Sequence, residues 1–211
     1  AAVNQMRTDN RLTPLFVAAG NGHAEVVRLL ISGGAAVNQA TKDEGATPLY
    51  AAANKGHTEV VSLLIGVGAA VNQMRTDNRL TPLFVAAGNG HAEVVRLLIA
   101  GDIAVNQICM DEGATPLYAA AHGGHAEVVR LLIGGGAAVN HAGNKDGMTP
   151  LYIAAHKGHA KVVRLLIDGG AAVNQARTDN GITPLYVAAH KGHANVVRLL
   201  IGAAAKVDQA T

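Results

Sequence analysis

The sequence predicts an all-α repeat solenoid. The tripeptide Thr-Pro-Leu returns every 34 residues, six times in all, and "VVRLLI" or once "VVSLLI" follows in each copy. Hydrophobic residues make up 49% of the 211 residues, but aromatic residues only 3%, and there is no Trp. A fixed period of this length, with small apolar residues, is typical of arrays in which each unit packs only on its neighbours.

Cutting the chain at each "AAVN" step, or its variant, divides it into six units. These units, called repeats 1 to 6 below, are residues 1–34, 35–68, 69–102, 103–136, 137–170 and 171–204, followed by a stub, 205–211. Because all six share one frame, we expect a single domain over residues 1–211.

Each repeat opens with a short helix, and the first repeat serves as the example. Thr13 is a favourable N-cap, and Pro14 suits the first turn, where a backbone N–H has no helical acceptor. Gly22 then ends the helix, since glycine accepts the left-handed conformation that follows many helix C-termini. The same residue types recur in all six repeats, which predicts six such helices.

A second helix follows in each repeat, with the sequence "AEVVRLLI" in the first. Its apolar residues cover nearly the whole circumference, which predicts burial between neighbouring repeats. Glu25 and Arg28, at i and i+3, form its predicted solvent-exposed strip, and Gly33 and Gly34 stop the helix. Helices of about nine residues are marginal in isolation, so their stability must come from stacking.

Two repeat families have periods close to this one. The tetratricopeptide pattern has about 34 residues but needs a Trp and two longer helices, whereas Pro and Gly break every unit here. Residues 45–72, "GATPLYAAANKGHTEVVSLLIGVGAAVN", instead resemble the ankyrin repeat, and the pattern covers essentially the whole chain. This resemblance implies an ankyrin-type stack of antiparallel helix pairs with projecting β-hairpin loops. It also implies protein binding through a concave side formed by hairpin tips and first helices.

The chain departs from the family pattern in three ways. The unit is one residue longer than the family's roughly 33, which predicts longer or bulged hairpin tips. The turn glycine of other repeats, such as Gly45, is Arg11 and Arg79 in repeats 1 and 3. Because asparagine tolerates a left-handed conformation better than arginine, we expect the preceding Asn10 and Asn78 to adopt it. An aromatic residue replaces the histidine that usually follows "TPL", at Phe16, Tyr50, Phe84, Tyr118, Tyr152 and Tyr186.

The repeats differ mainly at the hairpin tips and on the first helices. A fixed frame with variable tips is how a repeat protein changes what it binds, although drift at exposed positions produces the same pattern. On the hairpins, the expected partner contacts are Arg7, Asp9, Lys42, Asp43, Arg75, Asp77, Met110, Asp111, Lys145, Asp146, Arg177 and Asp179. On the first helices they are Lys55, Asn89, His122, Lys157 and Lys191. Charge reversal at Arg75 or Lys157 is expected to weaken binding while leaving the melting temperature nearly unchanged.

No convergent catalytic or metal site is evident, so we expect no enzyme, no cofactor and no metal. The six "GH" histidines recur with the frame and are expected at turns and helix starts. His122, His156 and His190 lie one repeat apart, but no Cys or carboxylate stands at a matching ligand spacing. Neither serine recurs with a histidine and an acid. Cys109 is expected to be an exposed thiol at a hairpin tip.

The charge distribution does not indicate a nucleic-acid or anionic-membrane surface. The chain has 17 basic and 15 acidic residues, a formal charge of +2. Residues 1–136 have a net charge of −2 and residues 137–211 have +4. One cysteine permits no intrachain disulfide, and no apolar run is long enough to cross a bilayer. These features favour a cytoplasmic or nuclear location.

Repeat 1 is identical to repeat 3 over residues 1–31. Because end repeats of an array usually need a polar outer face, an internal-type repeat in first place predicts an uncovered apolar side and concentration-dependent self-association. A fragment of a longer array, or an engineered assembly of repeats, explains the same identity. The two functional hypotheses are a non-catalytic protein–protein interaction module and a structural or engineered scaffold with no cognate partner.

Overall fold

The helical pattern predicted from the repeat is confirmed. A computed structural model describes residues 3–5, 12–101, 103–109, 113–143 and 145–204. In repeats 1–3 the helices are α1 (Pro14–Gly20), α2 (Ala24–Ser32), α3 (Pro48–Lys55), α4 (Thr58–Gly66), α5 (Pro82–Gly88) and α6 (Ala92–Ala100). In repeats 4–6 they are α7 (Pro116–Gly123), α8 (Ala126–Gly134), α9 (Pro150–Lys157), α10 (Ala160–Asp168), α11 (Pro184–His190) and α12 (Ala194–Gly202).

The helices pack as two compact units, residues 1–104 and 105–211. In the first unit, α1, α3 and α5 form one layer and α2, α4 and α6 form the other. The second unit has the same two layers, α7, α9 and α11 against α8, α10 and α12. Each first helix also packs on the second helix of its own repeat. One continuous domain over residues 1–211 stays a prediction. None of the described helices combines the length and apolarity that crossing a bilayer requires.

The helix ends follow the residues that predicted them. Thr13 Oγ1 accepts a hydrogen bond from the backbone N–H of Phe16 at 3.1 Å, and the other five repeats have the same threonine cap. Gly22 has φ 74°, and the next N–H, of His23, donates to Ala18 O at 3.0 Å. This is the Schellman arrangement, which satisfies carbonyls at the end of α1. Gly34 closes α2 in the same way, with φ 85°.

The five described hairpin loops between repeats each have one backbone hydrogen bond across the base of the loop. Cys109 N–H donates to Ala114 O at 2.8 Å in an isolated antiparallel bridge. The equivalent bonds join Thr41 to Ala46, Arg75 to Leu80, Gly143 to Met148 and Arg177 to Ile182, at 2.8–3.0 Å. Because each closure is a single bond, the described residues form hairpin loops without a strand ladder. Each closure spans more residues than a two-residue hairpin turn.

In repeats 1, 2, 4 and 5, the asparagine of the "VN" step links its turn to the turn that begins the next repeat. Asn38 Oδ1 accepts from the backbone N–H of Ala70 at 2.8 Å, and its amide nitrogen donates to Gly68 O at 3.4 Å. The same pair of bonds is made by Asn4, Asn106 and Asn140. These bonds satisfy backbone groups that no helix uses, and they set the spacing between consecutive repeats.

In repeats 2, 3, 5 and 6, the "GH" histidine links the start of the second helix to the first helix of the preceding repeat, which is a contact the sequence did not reveal. His91 is the N-cap of α6, as expected, and its Nε2 donates to the carbonyl of Asn54 on α3 at 3.2 Å. His57, His159 and His193 make the corresponding bond at 3.0–3.1 Å. The ring packs on the glycine of the preceding repeat. A Cβ on Gly56, where φ is 75°, would lie 2.6 Å from His91 Nδ1, so only glycine fits.

The core is a series of thin layers of Leu, Val and Ala. Leu64 and Val61 of α4 are fully buried between neighbouring repeats. Repeat 1 differs because its outer side has no described repeat against it. Val26 is 46% exposed, whereas Val94, at the same position in the identical stretch of repeat 3, is 1% exposed. Leu29 is 63% exposed as well. That this face is an uncovered end of the array stays a prediction. Self-association through it stays a prediction.

The expectation that Asn78 carries the left-handed turn of repeat 3 is wrong. Arg79 itself has φ 58°, at the position where Gly45 and Gly181 have φ 68° and 70°. Asn78 instead accepts a hydrogen bond from the backbone N–H of Leu80 at 3.1 Å through its side chain. The turn position therefore keeps its left-handed backbone conformation whichever residue occupies it, and Arg79 carries the resulting strain. Asn10 and Arg11 lie outside the described residues.

We expect Arg79→Gly to raise the free energy of unfolding by about 0.5–1 kcal/mol. Glycine removes the left-handed strain, and the greater entropy of the unfolded chain offsets part of this gain. Chemical denaturation of the full chain measures the change. Arg79→Ala is the matched control, because alanine keeps a Cβ and should give no gain. Equal gains from both variants would trace the effect to the lost arginine side chain and contradict the prediction.

Candidate interaction surface

The predicted contact residues that the structure describes fall on two adjoining features, the hairpin tips and the ends of the first helices. We call these together the first-helix surface. The exposed residues on the tips are Lys42, Asp43, Asp77, Lys145 and Asp179, and Asp146 is partly exposed. Arg7, Asp9, Met110 and Asp111 lie outside the described residues. Whether any of these residues contacts a partner stays a prediction.

Arg75 is turned towards its own protein rather than towards solvent. Its side chain is only 15% exposed, and its Nε donates to Asp77 Oδ1 at 2.9 Å. Its Nη2 lies 2.9 Å from Glu44 Oε2 of the preceding hairpin. The guanidinium also lies 5.2 Å from the ring centroid of Tyr50 and donates to the phenol oxygen at 3.3 Å. The hydrogen bond with Asp77 is the main reason that the pKa of Arg75 is raised, and Tyr50 and Glu44 add to it.

Arg177 repeats this arrangement in the second unit. It is hydrogen-bonded to Asp179, lies 3.3 Å from Asp146 of the preceding hairpin, and stands 5.6 Å above the ring of Tyr152. The bond with Asp179 is the main cause of its raised pKa. Charge reversal at such an arginine would break contacts between repeats. The structure therefore replaces the expectation that charge reversal at Arg75 leaves the melting temperature unchanged.

At three junctions, the tyrosine after "TPL" contacts the base of the next hairpin. Its ring packs on the residue 25 positions later, at the base of the next hairpin. Tyr50 and Tyr152 have an arginine there, whereas Tyr118 has Gly143, where a Cβ would lie 2.6 Å from the Tyr118 ring. The sequence showed the aromatic residues and the variable base, but not that the two touch.

The prediction of an exposed thiol at Cys109 is wrong. Cys109 is 0% exposed, because it occupies the buried base of its hairpin rather than the tip. Its Sγ lies 3.6 Å from the carbonyl of Gln107, and its backbone pairs with Ala114. Thr41 and Gly143 occupy the equivalent positions in two other hairpins, whereas Arg75 and Arg177 occupy them in two more.

Four first helices, α3, α7, α9 and α11, carry basic residues in their last turns, and none of the six contains an acidic residue. Lys55, Lys157 and Lys191 are all exposed, the first two on the last turn of their helices and the third just after it. Asn89 is exposed too, but its amide donates to Asn54 at 3.0 Å. In the second unit the lysines stand beside His122, His156 and His190. A cation at a helix C-terminus is favoured by the helix dipole.

Of His122, His156 and His190, His156 has the least access to water. Its Nδ1 is shielded from solvent and has no hydrogen-bond partner. Burial lowers the pKa of His156, and Lys191, Lys157, His193 and His122 lower it further by charge repulsion. The pKa of His122 is lowered for the same reasons, chiefly burial. Across the described ranges, no three His, Cys, Asp or Glu side chains come close enough to share a metal ion.

A groove of about 350 Å³ lies on the first-helix surface of the first unit. Its floor is apolar, with Phe16, Val17 and Ala51 from α1 and α3. Val17 is 38% exposed, a large fraction for an apolar side chain. Asn21 and Lys55 stand among the polar residues at its rim. An apolar floor within a polar rim is the usual anatomy of a protein-binding surface.

Comparison with known proteins identifies the family. The family model described as "Ankyrin repeats (3 copies)" matches residues 1–75, 67–142 and 135–211. The chain belongs to the ankyrin repeat family. The human ASB11 ankyrin repeat domain is similar over 100% of this chain and 90% of its own, with 31% identity and a TM-score of 0.85. An ankyrin repeat domain from Acinetobacter baumannii AYE is similar over 92% of this chain and 98% of its own, with 31% identity and a TM-score of 0.81. No curated protein sequence matches the chain significantly.

Membership of this family sets the coarse function. Ankyrin repeats are generally protein-interaction modules, and the family is generally non-enzymatic. The resemblance implied binding through hairpin tips and first helices. The groove lies on these two features, and so do Lys157 and Lys191, which we call the basic row.

For this ankyrin repeat chain we expect Arg75→Met to lower the free energy of unfolding by about 1–2 kcal/mol. The substitution removes the cation–π contact and the hydrogen bonds that join two hairpins. Thermal and chemical denaturation measure the loss. Tyr50→Phe is the matched control, since it removes only the 3.3 Å hydrogen bond and should cost less. No loss of stability in Arg75→Met would show that the arginine does not hold the hairpins together.

We expect stability to fall as the pH drops below about 6.5, the ordinary pKa of histidine. The folded-state pKa of His156 is lowered, so between that value and about 6.5 the unfolded chain binds more protons than the folded chain. The stabilisation is therefore present above about pH 6.5 and is lost as the pH falls towards the folded-state pKa. His156→Gln should flatten the dependence of the denaturation midpoint on pH between 7 and 5. Lys191→Gln should flatten it only partly, and an unaltered profile in His156→Gln would refute the assignment.

Proposed function

We propose that this chain is a non-catalytic interaction module that binds a protein segment along its first-helix surface. The groove of about 350 Å³ carries the proposal. Its floor exposes Val17 and Ala51 on adjacent first helices, where an apolar side chain of a partner would lose contact with water. Lys55 at the rim offers a charge to a carboxylate of the same partner.

The first helices of the second unit carry a second candidate contact region, the basic row of Lys157 and Lys191. Lys157 and Lys191 project one repeat apart, and no acidic side chain shares their helices. Exposed charges of one sign give electrostatic steering and register along a partner more than they give raw affinity. A partner that uses this row would place acidic residues along the first helices of the second unit.

The second candidate is a structural or engineered scaffold with no cognate partner. The identity of repeats 1 and 3 over residues 1–31 favours it, because a specific binding surface usually uses repeats that differ. An interaction module should capture a specific protein from a lysate, whereas a scaffold with no cognate partner should capture none.

The test compares capture by the immobilised chain and by single-substitution variants from a lysate of its source. Ala51→Arg fills the groove, and Lys157→Glu reverses one charge of the basic row. We expect each to weaken a captured protein's binding about tenfold, the ratio that corresponds to one well-placed contact. Ser62→Arg, at an exposed position of α4 in the second-helix layer, is the matched control and should bind normally. Titration calorimetry with the captured protein gives the affinities.

Two outcomes would contradict this proposal. Equal binding by Ala51→Arg, Lys157→Glu and wild type would remove the first-helix surface as the binding site. Capture of nothing specific by the wild type would favour the scaffold. Sedimentation velocity over a concentration series must accompany both, because exposed Val26 and Leu29 are expected to cause self-association. A single monomeric species at all concentrations would overturn that expectation.

A further inference from the structure

The second helices of repeats 5 and 6 depart from the charge pattern of the others. In three of the earlier repeats, a glutamate near the start of the second helix faces an arginine three positions later. These pairs are Glu25–Arg28, Glu93–Arg96 and Glu127–Arg130. In α10 the glutamate is replaced by Lys161, and in α12 by Asn195, while the arginines remain. Two arginines have thus lost the carboxylate that the fold supplies elsewhere.

The surroundings of these arginines do not replace the missing carboxylates. Among the described residues, no carboxylate oxygen lies within ion-pair distance of Lys161 or Arg164. Arg198 donates from Nη1 to the amide oxygen of Asn195 at 2.9 Å, a neutral acceptor. In the first unit, by contrast, Arg28 also lies 2.8 Å from Glu59 of the next repeat. The position that corresponds to Glu59 in repeat 6 is Asn195.

These cations line one side of a groove between the second helices. The groove encloses about 490 Å³, and Lys161, Arg164 and Arg198 are on its rim. Its apolar floor consists of Ala126, Ala160, Leu165 and Leu199. A second depression of about 410 Å³ shares Arg164, Arg198 and Leu199 and continues towards the C-terminal ends of α10 and α12. Asp168 is the one acidic residue among those lining the two depressions.

We propose that this groove binds an acidic peptide segment of a partner protein. Carboxylates of the segment occupy the places that glutamates occupy in the other repeats, where a guanidinium donates two parallel hydrogen bonds to each carboxylate. An apolar side chain of the same segment covers Leu165 and Leu199. The groove lies on the second-helix layer, so it is separate from the first-helix surface and can be occupied at the same time.

The groove fits an acidic peptide better than a nucleic acid. Three cations around an apolar floor do not form the basic stripe that tracks a phosphate backbone, and the formal charge of the chain is only +2. The lining has no aromatic ring on which a base could stack. Carboxylates flanking a leucine match both the charge and the floor.

The test uses a fluorescein-labelled peptide of repeating Glu-Glu-Leu sequence and fluorescence anisotropy with the full chain. The decisive variant is the double substitution Lys161→Glu with Asn195→Glu, which rebuilds the intramolecular pairs of the other repeats and should fold at least as well as wild type. We expect the wild type to bind, with affinity falling as salt rises. The double variant should bind at least about tenfold more weakly, since charge-assisted hydrogen bonds are lost.

Two controls locate the binding and identify the ligand class. Lys157→Glu with Lys191→Glu alters the first-helix surface and should weaken binding of this peptide much less than the rebuilt double variant does. A labelled oligothymidylate should bind more weakly than the peptide. The proposal is overturned if the rebuilt variant binds as well as wild type, if only the first-helix variant loses binding, or if the oligothymidylate binds more tightly.

Discussion

The fold depends on hydrogen bonds that cross from one repeat to the next. The helices have only seven to nine residues, too few to be stable alone. Asn38 binds backbone groups at the junction with the following repeat, and His91 binds the end of the preceding first helix. Both satisfy backbone carbonyls or N–H groups that would otherwise face solvent or remain unpaired. The apolar layers can then be thin, because register is set by polar contacts and not by large interlocking side chains.

Because inter-repeat hydrogen bonds and buried apolar layers determine the stacking, residues on the outer surfaces can differ between repeats. Residues of the frame have no freedom, as Gly56 illustrates, since a Cβ there would meet the His91 ring. Residues on the outer faces make few contacts that fix their identity, and the surface charges of repeats 5 and 6 differ accordingly from those of the other repeats. Their first helices gained lysine beside histidine, and their second helices lost glutamate. Two chemically different surfaces therefore lie on opposite layers of the same repeats, each altered without disturbing the layer between them.

The sequence predicted the features that lie within one repeat. Threonine caps, glycine stops and helix lengths follow from local residue types, so Thr13 and Gly22 behave as expected. It did not predict contacts between repeats, because their residue separations are set by packing. Arg75 was expected to face a partner, yet it binds Tyr50, 25 residues earlier. Cys109 was placed at a tip although it lies at a buried base. The groove between α10 and α12 also depends on packing, although the missing glutamates were visible in the sequence.

The contact between Tyr118 and Gly143 restricts how such a chain can be rearranged. A Cβ at position 143 would strike the ring, whereas the equivalent positions after Tyr50 and Tyr152 hold an arginine above the ring. At these three junctions the base of a hairpin is therefore matched to the tyrosine of the repeat before it, although all repeats share one frame. Exchanging whole repeats would preserve the frame but separate these matched neighbours. Compatibility is consequently a property of the junction, made of the end of one repeat and the beginning of the next, and not of the 34-residue period alone.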